Sequence, residues 1–285
     1  VTVVRIGAVS YLNTRPLIHG FERGLLADRV LLSYDTPAVL ADRMAAGDLD
    51  VALLPTIELA RIPDLEIVPG LAITCNGPSR SVLLVTRKPL DEVRRVALDA
   101  ESRTSNALAR LLFEHVWDAE PEFVAGPTHL EDALETADAV VRIGDKALFE
   151  PVPDGTVALD LAEAWTKATG LPFVFAVWAC RPGVLDRELY RAFHDSRREG
   201  SRAVDEIAAG YVWAGNSDPA LAERYLRENI LFRLGNAEVR ALRRFHDLAA
   251  GLGIIGAAPE IRLGMERHTD CHQAAACAGL QRERP

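Results

Sequence analysis

From its first residues the chain alternates short apolar runs with helix-length amphipathic segments, and no other feature limits its possible folds as tightly. Val3 to Val9, Val30 to Tyr34 and Val51 to Leu54 read as strands, while Pro16 to Gly24 and Pro37 to Ala46 read as helices, the second closed by Gly47 at a C-cap position. Such an alternation builds a mostly parallel sheet joined by crossover helices. Ser81 to Thr86 is a further apolar strand, and the breaker Lys88-Pro89-Leu90 behind it suits a linker. A second αβ unit follows: a strand at Val96 to Asp99, a helix from Asn106 to about Trp117 with Ser102 or Thr104 as its N-cap, a helix at Leu130 to Thr136, and a strand at Ala139 to Ile143. Phe173 to Cys180 is near-continuously apolar between Gly170-Leu171-Pro172 and Arg181-Pro182-Gly183, as expected of a strand buried on both faces. Beyond it the chain reads as helical, in segments from Asp186 to about Ala209, Asp218 to Leu231 and Ala237 to Ala250.

Two αβ units joined by Ser81 to Thr86 and by Phe173 to Cys180 predict two lobes with two crossings and a ligand cleft between them. The expected division is 1–86 plus 178–264 for the first lobe, 87–177 for the second, and a disordered tail over 265–285. A length of 285 residues suits roughly two domains of about 150 residues.

The composition narrows the function classes. Charges such as Arg43, Asp48 and Asp50 interrupt every apolar stretch, so no run approaches the roughly 18 residues of a membrane span. The net charge of −9 argues against nucleic acid, which requires a basic stripe to displace counterions. Val1 to Gly7 reads as a strand with no basic n-region before it, and the four cysteines are too few for a disulfide scaffold, so the expected compartment is the cytoplasm.

Four polar clusters fall at the ends of predicted strands: Ser10 to Arg15, Pro55-Thr56-Ile57, Ser102 to Ser105 and Gly144-Asp145. Ligands of open α/β sheets bind outside the carboxyl ends of the strands, so these clusters are expected to converge. Three of them open helices, whose free N–H groups favour anions and would let an acidic protein bind a carboxylate. Taken singly, each Ser or Thr is equally readable as an N-cap.

The clusters also carry a family resemblance. Val9-Ser10-Tyr11-Leu12-Asn13-Thr14-Arg15-Pro16-Leu17, Asp48-Leu49-Asp50-Val51-Ala52-Leu53-Leu54-Pro55-Thr56, Asp99-Ala100-Glu101-Ser102-Arg103-Thr104-Ser105, Arg142-Ile143-Gly144-Asp145 and Thr169-Gly170-Leu171-Pro172-Phe173-Val174-Phe175-Ala176-Val177-Trp178 together resemble the chorismate dehydratase family of the futalosine route to menaquinone, over about residues 3–255. The Ser-Tyr-Leu-Asn opening is the most specific piece, since the sister family that forms 1,4-dihydroxy-6-naphthoate has a Pro-Cys-Pro-Asn-like opening there. Thr56 stands where many members carry Ser and keeps the hydroxyl.

The resemblance implies an α/β, two-lobed fold like type 2 periplasmic solute-binding proteins, with a mostly parallel sheet flanked by helices in each lobe. It implies a lyase that removes water from the dicarboxylate chorismate to give 3-[(1-carboxyvinyl)oxy]benzoate, with no cofactor or metal required. It places Asn13 and Ser81 in the cleft as hydrogen-bond donor and orienter. Candidates for the two carboxylates are Ser10, Thr14, Thr56, Thr104 and Ser105, with Gly144 and Asp145 beside them. Arg15 reads either as a charge-assisted partner of a carboxylate or as a solvated helix-start residue. No His lies inside the matched motifs, His19 reads as structural, and Asp145 would be repelled by a dianion, which points to the substrate's enolpyruvyl carboxylate as the base. The rival readings are a clamshell that binds a small anion without catalysis and the sister activity that forms 1,4-dihydroxy-6-naphthoate. His268, Cys271, His272 and Cys277 look like metal ligands but sit in an Ala-, Arg- and Gln-rich tail, and Trp165 and Trp178 read as ring-stacking or core residues.

Overall fold

The structure, a computed structural model, describes residues 3–265. The first sheet contains β1 (Val4–Val9), β2 (Val30–Asp35), β3 (Val51–Pro55), β4 (Glu66–Cys75) and β10 (Phe173–Cys180) in the order β2-β1-β3-β10-β4. The second contains β5 (Val82–Thr86), β6 (Arg95–Leu98), β7 (Glu122–Ala125), β8 (Ala139–Ile143) and β9 (Val157–Asp160) in the order β7-β6-β8-β5-β9. Around the first sheet lie α1 (Arg15–Glu22), α2 (Pro37–Ala46), α7 (Arg187–Arg202), α8 (Val204–Gly210) and α9 (Pro219–Arg224), the last running into a π-helical turn at Tyr225–Asn229. The second sheet carries α3 (Arg103–His115), α4 (Leu130–Thr136), α5 (Gly144–Phe149) and α6 (Leu161–Thr169), and α10 (Asn236–Gly251) packs against both β10 and α3.

The sheets are mixed rather than mostly parallel. β2, β1 and β3 run parallel, as do β7, β6 and β8, but β10 and β5 run against their neighbours. The cause is topological. β3 and β8 end at the cleft, with Pro55 opposite Ala176 and Ile143 opposite Val82, whereas a strand arriving from the other lobe must enter there and run away from it. The same pairings shift the expected lobe boundaries: 82–86 belongs to the second sheet and 173–177 to the first. The crossings are the segments before β5 and before β10.

The apolar pattern explains the cores. Trp178 is fully buried against Phe193 in the first lobe, and Trp165 packs edge-on against Phe173 and Phe245 with its Nε1 donating to the Pro172 carbonyl at 3.1 Å. Both tryptophans are therefore core residues, each worth on the order of 1.5–3 kcal/mol or more through burial. His19 is likewise buried in α1. The Cys/His group at 268–277 lies outside the described residues. Among the described residues, no helix is long and apolar enough to cross a membrane.

α1 is pinned by unusually close packing on α7. Ser196 Oγ donates to the Leu17 carbonyl at 2.8 Å and accepts from Gly20 N–H at 3.0 Å, and a Cβ at Gly200 would lie 2.1 Å from the Pro16 carbonyl oxygen. Backbone cannot yield as a flexible side chain would. Gly200→Ala is therefore expected to destabilise the protein by about 1–3 kcal/mol, the usual range for overpacking, visible as a lower urea midpoint at unchanged slope. An unchanged midpoint would show that α1 and α7 are free to separate.

Candidate functional site

Residues from both lobes line one cleft between the two sheets. The first lobe contributes Tyr11, Asn13, Pro37 and Phe175; the second contributes Ser102, Thr104, Ser105 and Gly144, with Ser81 at the crossing. Among the described residues lining it there is no carboxylate, imidazole, lysine or guanidinium.

Each polar group is held by its own element. Asn13 sits in a 3-10 turn, Leu12–Thr14, between β1 and α1. Its Nδ2 donates to the Tyr225 hydroxyl at 3.1 Å, and the same hydroxyl lies 2.8 Å from Ser81 Oγ. Ser81 follows Arg80, whose φ of +60° is left-handed and strained for a side chain with a Cβ. That strain is held by the half-buried Asp160 carboxylate, which accepts from Arg80 N–H at 2.6 Å, from Ser79 Oγ, and from the first N–H groups of α6. On the opposite wall Ser102 caps α3 by accepting from Ser105 N–H at 3.3 Å. Thr104 Oγ1 accepts from Ile57 N–H across the lobes at 3.2 Å, which leaves its hydroxyl hydrogen free to donate elsewhere. The remaining free N–H groups of the first turn and the helix dipole give this wall its positive character without a cation.

Of the residues expected from the sequence, Asn13, Ser81, Thr104, Ser105 and Gly144 meet in the cleft. Gly144 has a φ of +65°, and a Cβ there would lie 2.8 Å from the Tyr11 ring, so only glycine lets that ring close on the second lobe. The others are placed elsewhere. Thr56 is fully buried and spends its hydroxyl on the Val174 carbonyl at 3.0 Å, while its own carbonyl accepts from His246 Nε2 at 2.9 Å. Thr14 is buried behind the cleft wall, and Ser10 is exposed outside it. Arg15 turns away into a neighbouring groove, where it pairs with Glu22 at 2.7 Å and lies over the Tyr34 ring, because it is already on α1 and points along that helix's outer face.

Asp145 is a buried fastener between lobes. Its carboxylate accepts from Leu12 N–H at 3.1 Å and from the Tyr211 hydroxyl, and Phe149, at the end of the same helix, stacks with Tyr211 and Trp213. Tyr11 adds a second fastener, donating to Glu101 Oε2 at 3.1 Å; Glu101 and Asp99 both pair with Lys146, at 3.0 and 2.8 Å. The three tyrosines, Tyr11, Tyr211 and Tyr225, were not singled out by any local pattern. The nearest signal was Tyr11 inside the Ser-Tyr-Leu-Asn motif.

Residues 4–251 match the menaquinone-biosynthesis family. The chain is 32% identical over 267 residues to the chorismate dehydratase of Thermus thermophilus, covering 87% of this chain and 95% of that protein. It is 27% identical to the chorismate dehydratase of Campylobacter jejuni, over 82% of this chain and 88% of that one. Among solved structures it resembles a protein of Archaeoglobus fulgidus with a TM-score of 0.68 at 18% identity, covering 88% of this chain and 98% of that chain. It also resembles the periplasmic aliphatic sulphonate binding protein of Escherichia coli, with a TM-score of 0.61 at 16% identity over 92% and 96% of the two chains. The type 2 periplasmic-binding fold is thus shared with these neighbours.

Burial raises the Asp145 pKa, and the hydrogen bonds from Tyr211 and Leu12 oppose that shift without cancelling it. A carboxyl whose folded pKa is raised contributes stability in full below its unfolded value of about 3.9 and loses it as pH rises through the folded value. Asp145→Asn has no such loss. The urea midpoint of this variant, taken relative to the parent, should therefore move in the variant's favour between about pH 4 and neutrality. A difference that moves the other way would mean that Asp145 is stabilised as the anion, and a flat one that folding leaves its pKa unshifted.

Proposed function

The chain belongs to the menaquinone-biosynthesis family, and from that premise we infer that it is a chorismate dehydratase, a hydro-lyase converting chorismate to 3-[(1-carboxyvinyl)oxy]benzoate and water. The observation that carries this reading is that the family match, residues 4–251, takes in every residue lining the cleft. We assign the reaction to the cytoplasm and to the futalosine route.

The ring carbon of chorismate that bears the enolpyruvyl ether carries a hydrogen, and its neighbour carries a hydroxyl. The hydrogen departs as a proton, its bonding pair forms the new ring double bond, and the C–O bond of the neighbour breaks. The hydroxyl takes up a proton and leaves as water. Aromatisation supplies the driving force, so the protein's tasks are positioning and a hydrogen bond to the departing hydroxyl. Asn13 and Ser81 take the hydroxyl. Thr104, Ser105 and the first turn of α3 take a carboxylate, in keeping with the N–H-rich, cation-free wall there. The proton acceptor is the substrate's enolpyruvyl carboxylate. A cleft without a carboxylate or imidazole supports this, as does the engagement of Asp145 with Leu12 and Tyr211.

Incubation with chorismate, followed by mass-resolved chromatography, should give a product lighter by one water with aromatic absorbance. Asn13→Ala should lower turnover by about 100-fold or more, while Asp145→Asn should stay within about tenfold of the parent. Unchanged chorismate with folded protein would sink the dehydratase reading and leave a clamshell that binds small carboxylates, detectable by ligand-dependent thermal shifts. Near-total loss in Asp145→Asn, with fold and binding intact, would transfer the base role to the protein.

A further inference from the structure

Tyr225 is 1% exposed and sits at the first position of the π-helical turn that continues α9. Nothing in the elimination as derived so far uses it. Yet its hydroxyl is the point at which Asn13, from the loop after β1, and Ser81, from the crossing into β5, are joined. The three residues are 212 and 144 positions apart in sequence, so the junction exists only in the folded cleft.

With Asn13 Nδ2 facing the phenol, counting hydrogens sets the direction of the bond to Ser81. A phenol has one hydrogen to donate and lone pairs to accept. Tyr225 accepts one hydrogen from Asn13 Nδ2 at 3.1 Å, and at its burial no solvent is present to take its own. The acceptor within reach among the described residues is Ser81 Oγ at 2.8 Å. Were Ser81 to donate instead, the buried phenolic hydrogen would have no partner, which is the costly arrangement. Tyr225 therefore donates to Ser81, and the Ser81 hydrogen is forced away from Tyr225, on a residue that lines the cleft. Asn13 Oδ1 is itself buried, with no partner among the described residues.

We propose that Tyr225 is a positioning residue for the elimination, holding Asn13 and Ser81 in register and turning the Ser81 hydrogen toward the departing hydroxyl. The role rests on the dehydratase reading above. Raised basicity of the phenol is not required, since burial holds its proton on throughout the physiological range.

The test is a cycle of Tyr225→Phe, Ser81→Ala and the double variant, with kcat and KM for chorismate measured on each. Tyr225→Phe should lower kcat by about 10- to 100-fold with KM within about threefold, because its effect falls on the departing group rather than on binding. In the Ser81→Ala background the same change should cost less than about twofold, since Ser81 carries the effect. Site-specific 4-aminophenylalanine at 225, which keeps a donor facing Ser81, should return kcat to within about threefold of the parent. This variant also serves if the phenylalanine protein does not fold, and a tenfold or greater loss in it overturns the role. So does an unchanged kcat in Tyr225→Phe, or losses that multiply in the double variant. These failures, with an active parent, leave the dehydratase reading standing; a parent that forms no product overturns that reading and this role together.

Discussion

Each sheet takes one strand from the chain's passage between lobes, and that strand must start at the cleft. β10 and β5 therefore run against their neighbours, and everything at the cleft follows from this reversal. The carboxyl ends of β1, β3 and β4 and the start of β10 face the corresponding ends of the second sheet across one gap. Ser81 is drawn into the cleft because it immediately precedes an inserted strand, and Phe175 because it lies early in the other. The left-handed Arg80 and the Asp160 carboxylate that holds it are the local cost of bringing the chain across at this point.

The side chains lining the cleft carry no charge of their own. Its polar wall consists of hydroxyls and the opening turn of α3, while the ionised groups nearby are satisfied by one another: Lys146 with Asp99 and Glu101, and Arg103 with Glu58 and Asp42. Arg103 and Asp145 reach from the second lobe to the first, as Tyr11 does in the other direction, so pairings of this kind also hold the lobes together. A dianion meeting this surface finds fixed dipoles rather than mobile cations, which orient it at little reorganisation cost. The protein's net charge of −9 is compatible with an anionic substrate for that reason.

Local patterns carried the secondary structure well wherever an element was bounded by turn chemistry. Pro37–Ala46, Leu130–Thr136, Ala139–Ile143 and Phe173–Cys180 have the bounds that their periodicity and flanking residues predict. β4 was hidden because Pro69-Gly70 interrupts its apolar run. The strand tolerates the pair because it lies at the sheet edge, where its register against β10 breaks between Ile67 and Ala72. The helical segment expected from Asp218 holds a π turn that no periodicity signals, and Tyr225 stands at the start of that turn. Arg15 and Thr56 show the opposite failure: both lie in the expected strand-end clusters, yet one turns outward along α1 and the other bonds to β10.

Sequence alone determined most strands and helices of the two αβ units, though not β4, β7 or β9, and that the chain would cross between the units twice. These properties depend on residues a few positions apart, through apolar periodicity, caps and breakers. Tertiary structure alone decided the direction of the inserted strands, the choice among the hydroxyls of the polar clusters, and the junction of Asn13, Ser81 and Tyr225. A hydrogen bond has a direction and a reach of about 3 Å, so which of two nearby hydroxyls faces a cleft depends on partners from distant parts of the chain, and no local pattern encodes it.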